Sequence, residues 1–263
     1  MNKPKKRFGQ HFLTDRRKAD RLVDALQIEN GETVLEIGAG TGILTERILA
    51  RGADLIAVEI DRDLIGNLQE RFGGMGRFEL IEGDIIRLDP ANLAAGGFKV
   101  IGNLPYNISG AVAEWLIEHH SSIRSAVITV QKQVAERLKA GPGGREYGSL
   151  SVMVQCFYDI SRLFDIPPGC FAPRPKVDST VLRLDPHEKL DKEIDYRQFR
   201  EFLRGCFFQK RKKLTNSLAA GMKIPRETIE KSLASLGRKA DTRAEKLSLL
   251  ELAKLYKAVR INV

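Results

Sequence analysis

Short runs rich in β-branched residues alternate with helical stretches between residues 33 and 139. The predicted strands are TVLEI (33–37), DLIAVEI (54–60), RFELIEG (77–83), FKVIGN (98–103) and SAVITVQ (125–131). The predicted helices lie near 42–51, 61–72, 109–120 and 132–139. Alternation of this kind predicts an α/β fold, in which a mainly parallel sheet is covered by helices on both faces.

The chain beyond residue 140 departs from this alternation. SLSVMVQCFY (149–158) and STVLRL (179–184) are predicted to add edge strands, with a proline-rich loop over 166–175 between them. After Pro186 the pattern predicts only helices, near 196–206, 210–221, 226–236 and 242–259, the last with a capping box of Thr242 and Glu245. We therefore expect a site-bearing α/β domain over 1–188, including a basic segment over 1–20, and a small all-α domain over 189–263. Four aromatic side chains are predicted to be core residues: Phe12, Trp115, Phe207 and Phe208.

Positive charge is concentrated at the two ends of the chain. Residues 187–263 hold 19 Lys and Arg against 10 Asp and Glu, whereas the first 186 residues hold 24 of each class. Clustered cations bind polyanions by releasing counterions from phosphates, although a solvated surface is the alternative explanation. The residues that we expect to contact nucleic acid are Lys5, Lys6, Arg7, Lys210, Arg211, Lys212 and Lys213.

Several classes of protein are disfavoured by composition. No apolar run approaches the roughly 18 residues that a membrane span needs, and the basic N-terminus lacks the apolar stretch of a signal peptide. The three cysteines are scattered, with neither a CxxC pair nor a Cys/His cluster, so no disulfide framework or zinc site is expected. We expect a cytoplasmic protein without a metal, and a monomer because no unexplained apolar stripe is visible.

A glycine-rich turn, Gly38-Ala39-Gly40-Thr41-Gly42, follows the first predicted strand and opens a helix. Glycines at such a turn allow a ligand to approach the backbone closely. The spacing is G-x-G-x-G, and Ile43 stands where a dinucleotide-binding turn needs a glycine. The preceding Glu36 would repel a pyrophosphate but tolerates a ligand that carries an ammonium and a sulfonium.

Polar side chains come at the ends of the next three predicted strands. Glu59 is placed to accept ribose hydroxyls, Asp84 is placed to accept from an adenine amine, and Asn103 ends the fourth strand. The ends of parallel strands meet at one edge of a sheet, where ligands bind. This ordered set is typical of class I methyltransferases, so we expect S-adenosylmethionine as the cofactor, with S-adenosylhomocysteine as its product. The predicted contacts from the strands and turn are Glu36, Gly38, Gly40, Gly42, Glu59, Asp84 and Asn103.

Asn103-Leu104-Pro105-Tyr106 resembles the (Asn/Asp/Ser)-(Pro/Leu/Ile)-Pro-(Tyr/Phe) tetrapeptide of enzymes that methylate exocyclic amines of bases. An adenine amine is a poor nucleophile because its lone pair is delocalised into the ring. The Asn103 side-chain oxygen and the Leu104 carbonyl are suited to accept its two protons and aim the lone pair at a methyl donor. Pro105 stiffens the loop, and Tyr106 offers a ring on which a flipped base can stack.

Further motifs extend the resemblance over nearly the whole chain. They are RFGQHFL (7–13), EYGSLS (146–151), FAPRPKVDS (171–179) and RAEKLS (243–248). With them the chain resembles the small-subunit rRNA adenine N6,N6-dimethyltransferase family, kin of the erythromycin-resistance methylases. The resemblance implies that His11 and Leu13 line the cofactor pocket and that Phe171 closes over the target base opposite Tyr106. It also implies dimethylation of two adjacent adenines in a hairpin near the 3′ end of small-subunit rRNA, on pre-30S particles.

Two alternatives stay open at this point. The same chemistry could act on large-subunit rRNA or DNA, although the C-terminal helices and the F-x-P-x-P block favour the small subunit. The protein could also act mainly as an assembly factor for the small subunit, with methylation secondary. The intact Asn-Leu-Pro-Tyr tetrapeptide and glycine turn favour a catalytic role over a purely non-catalytic one.

Overall fold

The computed structural model describes Lys5 and residues 9–90, 93–94 and 96–261. Its backbone packing divides the chain into two compact units. The first comprises Met1–Ala135 with Asp159–Pro186, and the second comprises Glu136–Tyr158 with His187–Val263. The second unit thus takes in a segment that the sequence analysis assigned to the α/β domain. The functional division into 1–188 and 189–263 stays a prediction.

A seven-stranded sheet forms the centre of the first unit. Its strands are β2 Thr33–Ile37, β3 Asp54–Glu59, β4 Phe78–Glu82, β5 Phe98–Asn103, β6 Ile123–Gln131, β7 Tyr158–Ile166 and β9 Ser179–Pro186, in the order β4-β3-β2-β5-β6-β9-β7. Strands β2 to β6 run parallel, and β9 runs antiparallel to β6. The predicted mainly parallel sheet is therefore confirmed, as is the strand predicted over 179–184. Two further short strands, β1 (Phe12–Leu13) and β8 (Phe171–Ala172), pair antiparallel with each other.

Helices follow the parallel strands as the alternation predicted. The helices of this part of the chain are α1 Arg16–Asp24, α2 Ile43–Ala50, α3 Arg62–Phe72, α4 Ser109–Glu118 and α5 Lys132–Lys139. All but α1 were predicted. The central strands are apolar and almost fully buried, as expected for strands that are covered on both faces. Trp115 is a core residue, as predicted, and its indole Nε1–H donates to the Leu88 carbonyl over 2.9 Å.

In the described part of the chain after residue 187, every regular element is a helix. These helices are α7 Tyr196–Phe207, α8 Leu214–Met222, α9 Arg226–Ser235 and α10 Leu249–Ile261, and the second unit also contains α6 Ser149–Gln155. The strand predicted over 149–158 is wrong, because most of that run forms α6. Ser151 fixes the start of α6, since its hydroxyl accepts from the Gly148 N–H and donates to the Arg137 carbonyl. No described helix is long and apolar enough to cross a membrane.

The last helix, α10, begins later than its sequence pattern suggested. The predicted capping box of Thr242 and Glu245 is wrong, because a turn separates these residues from α10. The observed box is formed by Ser248 and Glu251. The Ser248 hydroxyl accepts from the Glu251 N–H over 3.3 Å, and the Glu251 carboxylate accepts from the Ser248 N–H over 2.8 Å.

The capping box predicts that removing the Ser248 hydroxyl lowers the free energy of unfolding more than removing the Thr242 hydroxyl. Ser248→Ala should lower the free energy of unfolding by about 1 kcal/mol, because it leaves the Glu251 N–H at the start of α10 without its acceptor. Thr242→Ala is the matched control and should change the free energy of unfolding by less than about 0.5 kcal/mol. Urea unfolding of both variants measures this difference, and equal effects would contradict the assignment of the cap.

Candidate active site

An open cavity, with about 970 Å³ of empty space including the solvent at its mouth, lies at the carboxyl ends of the parallel strands in the first unit. The sheet order reverses between β2 and β5, because β3 and β4 lie on one side of β2 and β5 and β6 lie on the other. Connections leave such a point in opposite directions, and a crevice remains between them. All but one of the predicted cofactor residues line it: His11, Leu13, Glu36, Gly38, Gly40, Glu59, Asp84 and Asn103.

The glycine turn between β2 and α2 requires left-handed backbone at three positions. Gly38, Gly40 and Gly42 have φ of +70°, +58° and +81°, which side chains rarely adopt. Gly42 does not line the cavity. It precedes the first residue of α2, and a Cβ there would lie 2.7 Å from Cε2 of Phe72. Its hydrogen side chain therefore serves the packing of α2 against α3 rather than direct contact with a ligand.

The Glu59 carboxylate at the end of β3 is held by three backbone N–H groups. Oε2 accepts from Gly40 over 2.8 Å, and Oε1 accepts from Ile60 and from Asp61 over 2.9 Å each. Burial raises the pKa of Glu59, and the three hydrogen bonds act against this rise. The group is thereby fixed in one orientation beside the glycine turn. Oε1 already accepts two hydrogen bonds, so Oε2 is the oxygen that keeps a lone pair for a hydroxyl donor.

Glu36 lies deeper than the sequence suggested, because its side chain is fully buried in the wall of the cavity. Oε2 accepts from the Thr45 hydroxyl over 2.7 Å, and Oε1 is buried without a hydrogen-bond partner. Burial raises the pKa of Glu36 to about 8, and the nearby Glu59 adds to the rise. A buried carboxyl with a free acceptor oxygen is a site that a cationic or hydrogen-bond-donating ligand would stabilise.

The Asn103 side chain at the end of β5 is oriented by the N-terminal segment. Its Nδ2 donates to the main-chain carbonyl of His11 over 2.9 Å, so that Oδ1 is the atom left to accept from a ligand. Pro105 lines the same cavity, whereas the Leu104 side chain is buried in the core. The tetrapeptide therefore presents the Asn103 amide oxygen and Pro105 at the cavity, whereas the Leu104 side chain faces the core.

Tyr106 is held from two sides. Its hydroxyl is 2.8 Å from the Ser179 Oγ at the start of β9, and its ring centroid is 5.1 Å from that of His11. The His11 Nδ1 in turn lies 2.7 Å from the Pro173 carbonyl, inside the FAPRPKVDS motif. Burial raises the pKa of the Tyr106 hydroxyl, which keeps it a neutral hydrogen-bonding group. Three distant segments of sequence thus meet around this ring.

Phe171 does not lie where its predicted stacking role would place it. Its side chain is 5% exposed, packs in the hydrophobic core with Leu13 and Leu22, and does not line the cavity. The antiparallel pairing of β8 with β1, which sets Phe171 opposite Leu13, directs the ring inward. In this arrangement the ring has no free face for a base.

Three features of the site were not predicted. Ile60 lines the cavity with 44% of its surface exposed, and it offers an apolar face directly after the Glu59 acid. Gln10 also lines the cavity and donates to the Asp61 carboxylate over 2.8 Å. Lys5 pairs with the same Asp61 over 2.5 Å. The sequence signal available for Ile60 was an apolar residue directly after the acid that ends a strand. The Lys5–Asp61 pair spans 56 residues and left no local signal.

The predicted nucleic-acid residues fall in different places. Lys6 and Arg7 lie outside the described residues, and Lys5 is engaged by Asp61. The cluster Lys210–Lys213 lies in the second unit, in the turn between α7 and α8, and does not form the start of a helix as predicted. Lys210 donates to the Arg145 carbonyl over 2.7 Å, and Arg211, Lys212 and Lys213 are exposed.

The buried carboxyl of Glu36 predicts a pH-dependent cost to stability. Above its ordinary pKa of 4.5 the unfolded carboxyl is ionised, whereas the folded one stays protonated until about pH 8. The wild type therefore loses stability as pH rises through this window, at roughly 1.4 kcal/mol per pH unit. Glu36→Gln should equal the wild type below about pH 4 and become progressively more stable up to about pH 8.

Urea unfolding between pH 4 and pH 9 measures this difference in free energy. Glu79→Gln, which removes an exposed carboxylate from the same sheet, is the matched control. A stability difference for Glu36→Gln that does not grow with pH would refute the buried, protonated state.

Comparisons with known proteins agree with this site. The sequence profile described as ribosomal RNA adenine dimethylase matches residues 1–260. A protein of Acidobacterium capsulatum named ribosomal RNA small subunit methyltransferase A is 43% identical over 260 residues, which cover 98% of this chain and 92% of that protein. A protein of Thermosynechococcus vestitus with the same name is 39% identical, covering 99% of this chain and 98% of its own length.

Solved structures are similar over almost the whole chain. A dimethyladenosine transferase from Plasmodium falciparum superposes with a TM-score of 0.77 at 27% identity, covering 93% of this chain and 96% of its own. The 23S rRNA methyltransferase ErmE gives a TM-score of 0.71 at 24% identity, covering 95% and 99%, a likeness that shows the fold alone. The predicted class I methyltransferase fold with C-terminal helices is confirmed. By sequence over nearly its full length and by fold, this chain belongs to the ribosomal RNA adenine dimethylase family.

Proposed function

We propose that this chain transfers methyl groups from S-adenosylmethionine to N6 of two adjacent adenines in a hairpin near the 3′ end of small-subunit rRNA. The product is N6,N6-dimethyladenosine, formed during ribosome biogenesis on pre-30S particles by a cytoplasmic monomer. The observation that carries this proposal is the Asn103 amide, anchored on His11 and facing the cavity that Glu59 and Asp84 also line. Family membership and the shared name of the curated relatives support the same substrate.

The residues of the cavity fit S-adenosylmethionine, whose bound sulfonium supplies an electrophilic methyl group. Glu59, fixed by three N–H groups, would accept the ribose hydroxyls, and Asp84 would accept from the adenine amine. Ile60 would cover the apolar face of the adenine ring. The unpartnered buried Oε1 of Glu36 matches a ligand that carries positive charge, which a pyrophosphate-containing dinucleotide lacks.

Catalysis in this proposal is mainly orientation. The Asn103 Oδ1 and the Leu104 carbonyl would accept the two protons of the target amine and turn its lone pair toward the reacting carbon. The amine becomes acidic only once it has been alkylated, so no general base is needed beforehand. The ring of Tyr106, held by Ser179 and His11, would receive one face of the flipped adenine.

The first experiment identifies the labelled nucleoside. The protein is incubated with radiolabelled S-adenosylmethionine and small subunits from a strain that lacks its own dimethylase. Dimethyladenosine in small-subunit rRNA is expected, and Asn103→Ala should lose at least about 100-fold in kcat because it removes an acceptor for the target amine. Asn67→Ala, an exposed asparagine on α3, is the matched control and should keep full activity.

Other labelling patterns would overturn parts of the proposal. Label on large-subunit rRNA or DNA, with none on small subunits, would keep the chemistry and replace the substrate. Cofactor binding without any label would favour an assembly factor. An Asn103→Ala strain that grows like the wild type, beside a defective deletion strain, would favour the assembly role as well.

The hydrogen bond between Tyr106 and Ser179 predicts that removing either hydroxyl lowers kcat by a similar factor. Ser179→Ala should lower kcat about fivefold, the value of one hydrogen bond near 1 kcal/mol, because the ring of Tyr106 loses its anchor. Tyr106→Phe should have a similar effect, and the double variant should be no worse than either single one. Ser125→Ala removes a buried hydroxyl without a partner and is the control. Additive losses in the double variant would mean that the two groups act independently.

A further inference from the structure

Phe208 is the most exposed of the large apolar side chains among the described residues. Phe208 was predicted to be a core residue, but 65% of its surface is accessible, so that prediction is wrong. Its neighbour Phe207 is half-buried and packs edge-to-face on Tyr147, with ring centroids 6.0 Å apart. Phe208 directly follows the last residue of α7 and keeps helical backbone angles, with φ of −55° and ψ of −40°. The second unit therefore presents a free aromatic ring at the end of this helix.

The backbone and Cβ of Phe208 are fixed by packing, although its ring is exposed. Helices α7 and α8 approach closely through two glycines, since a Cβ on Gly221 would lie 3.3 Å from Cα of Gly205 and 3.5 Å from Cβ of Phe208. The turn that follows is held by the buried Ser217, whose hydroxyl accepts from the Gln209 N–H over 3.1 Å. A ring on a fixed backbone loses little conformational entropy when it contacts a ligand.

Phe208 is followed in sequence by cations that pair with no carboxylate in the described part of the chain. The basic turn, defined as Lys210–Lys213, begins two residues after Phe208. No carboxylate of the described residues lies within 4 Å of the side-chain nitrogens of Arg211, Lys212 or Lys213, whereas many other surface cations of the chain are paired. An exposed aromatic ring next to unpaired cations matches a strand of nucleotides, in which each phosphate is followed by a flat base.

We propose that Phe208 is a stacking platform for an unpaired base of the RNA substrate, while the basic turn contacts the adjoining phosphates. The proposal rests on the proposed function in taking RNA as the ligand, and it adds a base contact in the second unit. Stacking on the ring adds affinity that depends neither on charge nor on which base is bound, because every base has a π face. The basic turn provides the salt-dependent part.

The test measures the dissociation constant of the full chain for a fluorescent single-stranded RNA of about ten nucleotides and for an abasic strand of equal length. Phe208→Ala should weaken binding of the RNA about tenfold, the loss of one base–aromatic stack, and leave the abasic strand unaffected. Phe208→Trp should restore affinity, whereas Phe208→Leu should resemble Phe208→Ala. Leu250→Ala, which removes another exposed apolar side chain (62% accessible) of the same unit, is the matched control.

Salt dependence separates stacking from charge. The slope of log Kd against log[KCl] should stay at the wild-type value in Phe208→Ala and should fall by about 2 in the double variant Lys212→Gln, Lys213→Gln. Wild-type affinity in Phe208→Leu or Phe208→Ala would overturn the proposal. A Phe208→Ala variant that changes sedimentation but not RNA affinity would overturn it too, in favour of a protein partner.

The two proposals fail in distinguishable ways. Phe208-dependent RNA binding without adenine methylation would leave the stacking site standing and reject the proposed function. Dimethylation of small-subunit rRNA, with an RNA affinity that does not depend on Phe208, would support the proposed function and reject the stacking site. Thermal melting checks the folding of each variant, and the exposed position of the ring predicts unchanged midpoints for Phe208→Ala.

Discussion

The parallel alignment of β2 between β3 and β5 is the constraint on which the site depends. Register places Glu36 of β2 opposite Ala57 of β3 and Ile101 of β5, so the three strands end at the same edge. Because the strand order reverses there, no connection fills the space above that edge. Groups separated by more than 60 residues in sequence, such as Glu36 and Asn103, consequently face one cavity.

Two buried carboxyl groups in that cavity lower the electrostatic stability of the folded chain. Burial raises the pKa of both Glu36 and Glu59; the charge of Glu59 adds to the rise at Glu36, and the charge of Asp61 adds to the rise at Glu59. Glu59 is compensated by three backbone donors, whereas Glu36 has the Thr45 hydroxyl and an unpartnered oxygen. A cationic ligand offsets part of this cost, so the same arrangement that weakens the empty protein favours a sulfonium-bearing cofactor. Stability and selectivity for the cofactor are therefore linked through Glu36.

The target side of the cavity is held by contacts over long distances in sequence. The Asn103 amide depends on the His11 carbonyl, and the Tyr106 hydroxyl depends on Ser179. The three-residue segment Leu104–Tyr106 has too few internal contacts to fix its own side chains. The N-terminal segment and the start of β9 supply that rigidity, which explains why motifs near both ends of the first unit accompany the Asn-Leu-Pro-Tyr tetrapeptide. The second unit adds a separate surface, in which the exposed ring of Phe208 is followed in sequence by the exposed cations of the basic turn.

Local sequence determined the strand–helix alternation, the glycine turn and the polar residues at the strand ends, because each is specified by neighbours within a few residues. Tertiary structure alone decided the rest. The apolar run at 149–155 suits a strand or a helix equally, and packing in the second unit with the Ser151 contacts selected the helix. Phe171 and Phe208 are the same residue type, yet one is buried and the other exposed, since burial depends on what distant segments cover a side chain. The full burial of Glu36 and the pairing of Tyr106 with Ser179 likewise follow from contacts between distant segments of the chain, which no local pattern encodes.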